Sequence, residues 1–178
     1  MNLNTIYFLH EIGGKKTQED YIWPPAGTAS AEDKIFIICD GVGGSENGEL
    51  ASKLISEFVA SALQEIPAST LSATVINDIL LQAQQKLIDH AAQYALNTDM
   101  ATTFTLLVLN DDKAFIAWCG DSRVYHIRKE SVLYKTSDHS LVNTLVKKGE
   151  ITEQEARSHP QNNIILKAIK ADYSPIEA

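Results

Sequence analysis

The chain has 178 residues, 44% hydrophobic and 21% charged, with a formal net charge of −8. Such a length and make-up fit one globular domain with a sizeable core, and the acidic balance excludes a nucleic-acid partner, which would need clustered Lys and Arg, while suiting recruitment of metal cations. No apolar run approaches the ~20 residues that cross a bilayer, and "MNLNTIYFLHEIGG" lacks the basic n-region and apolar length of a signal peptide, so no membrane partner is expected.

In chain order, Ile6–Leu9 and Ile35–Cys39 read as strands. The segment from Glu49 to Ile66 reads as an amphipathic helix with Leu50, Leu54, Ile55, Phe58, Ala62 and Ile66 on one face, opened by Asn47 and ended by Pro67. A second helix, from Ser72 to Ala95, carries Ile76, Ile79, Leu80, Ala83, Leu87 and Ala91, with Ser72 as its N-cap. Phe104–Leu109, Ala114–Cys119, Arg123–Arg128 and Val132–Lys135 are strands joined by the tight turns Asn110-Asp111-Asp112, Gly120-Asp121 and Lys129-Glu130, so they pair antiparallel. The unbroken runs "FTLLVL" and "AFIAWC" imply burial on both faces, which calls for a layer on each side. "SLVNTLVKKG" is a short helix closed by Gly149, Thr152 and Glu155 form a capping box for another, and Ile164–Ile169 is a strand or a turn. No linker or repeat divides residues 1–178, so one domain is expected, of α+β class and layered as a sandwich. Cys39 and Cys119, the only cysteines, sit in apolar runs and read as packed free thiols, in keeping with a reducing cytoplasm.

The stretch "KIFIICDGVGGSENGELAS" places a carboxylate, Asp40, between a strand and a glycine loop. A dinucleotide-binding loop fails at Glu46, and no G-K-[ST] of a P-loop is present. Asp40, Glu46 and Glu49 would also repel a bare phosphate. They become useful when hard divalent cations stand between them and the phosphate. Gly41 would let a backbone carbonyl approach such a cation. A plain Asp-Gly turn is the other reading of this loop taken alone. Glu19 and Asp20 in "KKTQEDYIW" read by themselves as a solvated pair, and Asp121 in "WCGDSRVY" as an ordinary turn residue. Asp138 and His139 in "TSDHSL" read as a local hydrogen-bonded pair.

Taken jointly, "KKTQED", "CDGVGGSENGELAS", "MATTFTLLVL", "WCGDSRVY" and "TSDHSLVNTLVKKGEIT" resemble the metal-dependent protein serine/threonine phosphatases of type 2C (the PPM family), in their bacterial branch. The resemblance runs from about Lys15 to Ala168. It implies a four-layer αββα sandwich of two antiparallel sheets flanked by helices. It also implies hydrolysis of phosphoserine and phosphothreonine in phosphorylated proteins by a hydroxide shared between two Mn²⁺ or Mg²⁺ ions, without a phosphoenzyme. Asp40 would be the carboxylate bridging the two ions, and Gly41 would offer its carbonyl to one. Glu19 and Asp20 would hold the same metal, partly through water. Asp121 would serve a third, weaker ion. Lys15 would face the substrate phosphate where the family generally carries arginine, giving a point charge rather than a bidentate fork. Val42 stands where many eukaryotic members carry a histidine proposed as general acid.

Two further aspartates that complete the metal site in family members, one in an "SDG" phrase and one followed by Asn, are not found before the chain ends at "KADYSPIEA". The resemblance therefore implies a domain lacking its C-terminal part, with sheet edges exposed to self-association. A catalytically weak or inactive module that binds phosphoproteins or a partner is the alternative reading.

Overall fold

The computed structural model describes residues 5–42, 47–96, 99–110, 113–176 and 178. Most of the glycine loop, Gly43 to Glu46, and the Asp111-Asp112 turn lie outside the described residues.

Four strands form the principal sheet: β1 (Asp20–Trp23), β2 (Ile35–Asp40), β4 (Phe104–Asn110) and β5 (Lys113–Cys119), all antiparallel in the order β1-β2-β4-β5. Helices α1 (Gly48–Gln64) and α2 (Ala73–Gln93) pack on one face of it. Strand alternation sorts the side chains. Ile37, Cys39, Phe104, Leu106, Val108, Ala117 and Cys119 join Ile55, Val59, Ile76, Leu80 and Leu87 of the helices in one core. Helix α2 buries the six residues expected of it, and Ser72 caps it by accepting from the Val75 N–H at 3.2 Å.

Helix α1 is rotated from its expected phase. Its deepest line is Gly48, Ala51, Ser52, Ile55, Ser56, Val59, Ala60 and Leu63. Leu50, Leu54, Phe58, Ala62 and Ile66 lie on its shoulders, partly buried. The small residues win the central stripe because they let the helix approach the sheet closely. Asn47 occupies the N-cap position in left-handed conformation (φ 59°), and its side chain makes no capping bond.

The remaining pairs are short: β3 (Ala101–Thr102) with β8 (Ile169–Lys170), and a hairpin of β6 (Tyr125–Arg128) with β7 (Ser131–Lys135). Helix α3 (Leu141–Lys148) closes at Gly149 (φ 74°), and α4 (Glu153–Arg157) carries the full capping box of Thr152 and Glu155. The mixture of helices and antiparallel sheets is that of an α+β sandwich, with the helix layer and one sheet well developed. The sheet face away from α1 and α2 is unevenly covered: Thr105 and Leu109 are buried, but Ile38 is 49% exposed. The double burial expected of "AFIAWC" does not hold: its buried residues, Ala117 and Cys119, both lie on the helix-side face, with Ile116 and Trp118 between them only partly buried. The expected strand Ile6–Leu9 does not form, and Tyr7 and Leu9 are 89% and 82% exposed. The outer edge of β2 is taken by β1 instead, a strand not read from the sequence.

Candidate active site

Asp20 opens β1 and Asp40 closes β2, and antiparallel pairing sets them directly opposite each other. Their neighbours Tyr21 and Cys39 point to the helix side, Tyr21 donating to Glu57 of α1 at 2.7 Å and Cys39 lying fully buried. Alternation therefore turns both carboxylates to the opposite face. Like charges placed across a ladder repel. Burial, then the charge and hydrogen bond of Asp20, with a smaller push from Asp121, bring the Asp40 carboxyl up to about 6, against the pull of Lys15.

The main chain around Asp40 is pinned from three sides. The Asp40 N–H donates to Thr103 Oγ1 at 3.0 Å, and its carbonyl accepts from the Thr103 N–H at 2.8 Å and from Thr102 Oγ1 at 3.0 Å. The Gly41 N–H donates to the Glu19 carbonyl at 3.0 Å, which also accepts from Ser52 Oγ of α1 at 2.6 Å. Gly41 has a packing reason to be glycine: a Cβ there would stand 2.6 Å from the Gly48 carbonyl carbon and oxygen and 2.9 Å from the Glu19 oxygen. No side chain fits between the strand end and the first turn of α1.

Lys15 and Glu19 bond each other, Nζ to Oε2 at 2.6 Å. Glu19 thus spends its carboxylate on Lys15, and that bond raises the Lys15 pKa above its ordinary value. Because Lys15 is largely exposed, the pair is readily exchanged. Asp121 follows Gly120 at the end of β5, close enough for its charge to be felt at Asp40. Asp20, Asp40 and Asp121 are therefore brought to one end of the sheet, with Gly41 beside them and Lys15 at the margin. Among the described residues no three His, Cys, Asp or Glu side chains close into a ready metal cage. The donors are nevertheless all hard oxygens, and the Asp20–Asp40 repulsion is what a divalent cation relieves. The residues fit Mg²⁺ or Mn²⁺ with water completing the coordination.

Asp138 does not pair with His139. It takes a bidentate bond from Arg123, Nε to Oδ1 at 2.7 Å and Nη2 to Oδ2, because the planar guanidinium offers a better fit than an adjacent imidazole. His139 stacks on Trp118, and its Nδ1 accepts from the Gly120 N–H at 3.2 Å. Burial, with the charges of Lys167 and Lys147, lowers its pKa and favours the neutral ring this bond requires. Cys39 and Cys119 are buried free thiols with pKa values pushed up by burial, Cys119 to about 11, which removes them as nucleophiles.

A family model described as protein phosphatase 2C matches residues 10–170. This chain belongs to the protein phosphatase 2C family. Protein phosphatase PhpP of Streptococcus pneumoniae is 33% identical over 171 residues, covering 92% of this chain and 67% of PhpP. The serine/threonine phosphatase stp of Listeria innocua is 33% identical over 149 residues, or 80% of this chain and 59% of that protein. Serine/threonine phosphatase Stp1 of Staphylococcus aureus superposes with a TM-score of 0.82 at 30% identity, over all of this chain and 72% of Stp1. A PstP catalytic domain solved with two manganese ions shares the fold, at a TM-score of 0.73 and 23% identity.

Within this phosphatase family member, several supporting residues escaped the sequence reading. Thr102, Thr103, Ser52 and Ser122 lie in the phrases "MATTF", "GELAS" and "GDSR", and His139, expected only as a partner of Asp138, bonds Gly120 instead. Their polar atoms bond to main chain or to each other, so their part shows only once register is known.

Proposed function

We propose that this chain is a Mn²⁺- or Mg²⁺-dependent phosphatase acting on phosphoserine and phosphothreonine in proteins. The observation that carries this reading is the opposed pair Asp20 and Asp40, held on one sheet face by a strand end rigid in its main chain. Asp40 and Asp20 would hold the cations together with the Gly41 carbonyl. Glu19 would reach the same ion partly through water, and Asp121 would serve a third. When bound, such cations lower the pKa of the attacking water and neutralise the phosphoryl oxygens. The protein's own share is positioning: the Thr102, Thr103 and Glu19 bonds fix where Asp40 and Gly41 stand. Lys15 would exchange Glu19 for a substrate phosphoryl oxygen. Val42 offers no proton, so the leaving alcohol must take one from water or another group.

A cytoplasmic location is part of the proposal, supported by two buried free thiols. Among the described residues no helix is long and apolar enough to cross a membrane. Self-association through the free edge at β5 is a further part, supported by the strand order that leaves this edge outermost.

The test is hydrolysis of p-nitrophenyl phosphate and of a phosphothreonine peptide with and without Mn²⁺. Stimulation by Mn²⁺, and its loss in EDTA or in Asp40→Asn, is expected. Activity indifferent to both would overturn the reading. Peptide binding without turnover would instead make the chain a binding module.

A further inference from the structure

Asp121 sits mid-way in a three-residue turn, Gly120-Asp121-Ser122, both of whose flanking residues are held. Gly120 is gripped twice by His139, which accepts from its N–H at 3.2 Å and donates its own main-chain N–H to the Gly120 carbonyl at 2.9 Å. The α-carbon of Gly120 (φ +114°) also rests on Thr103, so closely that a Cβ added to this glycine would stand 2.7 Å from the Thr103 side chain. On the other side, Ser122 Oγ lies 2.8 Å from Thr103 Oγ1, and the Ser122 carbonyl accepts from Thr105 Oγ1 at 3.3 Å. Thr103 Oγ1 is the same atom that accepts from the Asp40 N–H. One fully buried hydroxyl thus ties the strand end bearing Asp40 to the turn bearing Asp121. Threonine is needed for the purpose: its oxygen accepts from one side and shares a proton with the other, while its methyl fills the hollow against Gly120.

We propose that Thr103, Ser122 and His139 are positioning residues that fix Asp121 relative to Asp40 and thereby set the affinity for the cation that Asp121 serves. The inference rests on the metal-dependent reading above. Groups that orient a ligand without touching the metal typically change its affinity by about 10–100-fold. The hydroxyl touches both strand ends, but Asp40 keeps its carbonyl bonds from the Thr103 N–H and Thr102 Oγ1 when that hydroxyl is removed, so the larger change falls on the step that Asp121 serves.

The experiment is a Mn²⁺ titration of the full chain followed by electron paramagnetic resonance, which counts bound ions without turnover. Thr103→Val keeps the shape and removes the hydroxyl, while Ser122→Ala cuts the same bond from a half-buried turn and guards against a folding defect in the first variant. Each is expected to weaken the weakest Mn²⁺ step by about tenfold, with the tightest step changed less than about threefold. Thr103→Ser should restore it, and the double variant should be no worse than either single one. Equal weakening of all steps, or none in either folded variant, would overturn the clamp. Asp40→Asn separates the two levels. If it abolishes tight binding while Thr103→Val and Ser122→Ala match the wild type, the clamp alone falls. If Asp40→Asn also matches the wild type, the metal reading falls and takes the clamp with it.

Discussion

Asp40→Asn should make the metal-free protein more stable while removing its response to metal. Burial and the opposed Asp20 bring the Asp40 carboxyl from 3.8 to about 6, so the folded protein holds this proton more tightly than the unfolded chain does. This group favours folding at low pH, and its contribution is lost as pH rises from about 4 through about 6. A carboxyl raised from 3.8 to about 6 would correspond to ~3 kcal/mol at full burial. Asp40 is only half-buried, so screening by solvent reduces the figure to about 1–2 kcal/mol. For a chain of this size that is a Tm rise of roughly 2–8 °C at pH 7.5 in EDTA. The assay is differential scanning calorimetry of both proteins between pH 4 and pH 8. The gap should close near pH 4, where both side chains are neutral. Excess Mn²⁺ should raise the Tm of the wild type and leave the variant unmoved. A variant no more stable than the wild type at pH 7.5 would show that the opposed carboxylates do not strain the fold, and one equally stabilised by Mn²⁺ would show that Asp40 does not hold the cation.

Gly41→Ala forces a methyl group against the Gly48 main chain, which cannot swing aside as a side chain could; a loss of about 3 kcal/mol is expected in chemical denaturation. Lys15→Arg should lower KM for a phosphothreonine peptide about threefold, with kcat little changed, since the guanidinium can grip two phosphoryl oxygens. Ile116→Lys places a charge on the outermost strand β5; light scattering should show concentration-dependent association in the wild type and its loss in the variant.

The helices were legible because burial imposes a period that the sequence must carry. Helix α2 kept its six expected core positions, and α4 kept its capping box, which is a purely local device. Helix α1 was legible in extent but not in phase, because Leu50, Leu54 and Phe58 dominate any hydrophobic count while Gly48, Ala51 and Ser52 decide how near the helix can come. Strand β1 was missed because its first residue is charged and the "ED" before its apolar part reads as solvated loop. Ile6–Leu9 looked more like a strand, yet chain propensity yields to which segment reaches the sheet edge. Near the site, the strand that ends at Asp40 and gives way to Gly41 was legible from the strand-then-glycine pattern. Its register with Asp20 was not, since pairing is a tertiary fact. The same holds for the Arg123–Asp138 bond and for Thr103, whose hydroxyl has no meaning until β2, β4 and the Asp121 turn are side by side.

The proposed activity requires a divalent cation between Asp20 and Asp40. Crystals soaked in Mn²⁺ and measured at the manganese absorption edge would test it most directly. An anomalous peak within coordination distance of the Asp40 carboxylate and the Gly41 carbonyl, lost in Asp40→Asn crystals, is the expected result. Strong manganese peaks elsewhere on the molecule, with none between the two aspartates, would contradict it.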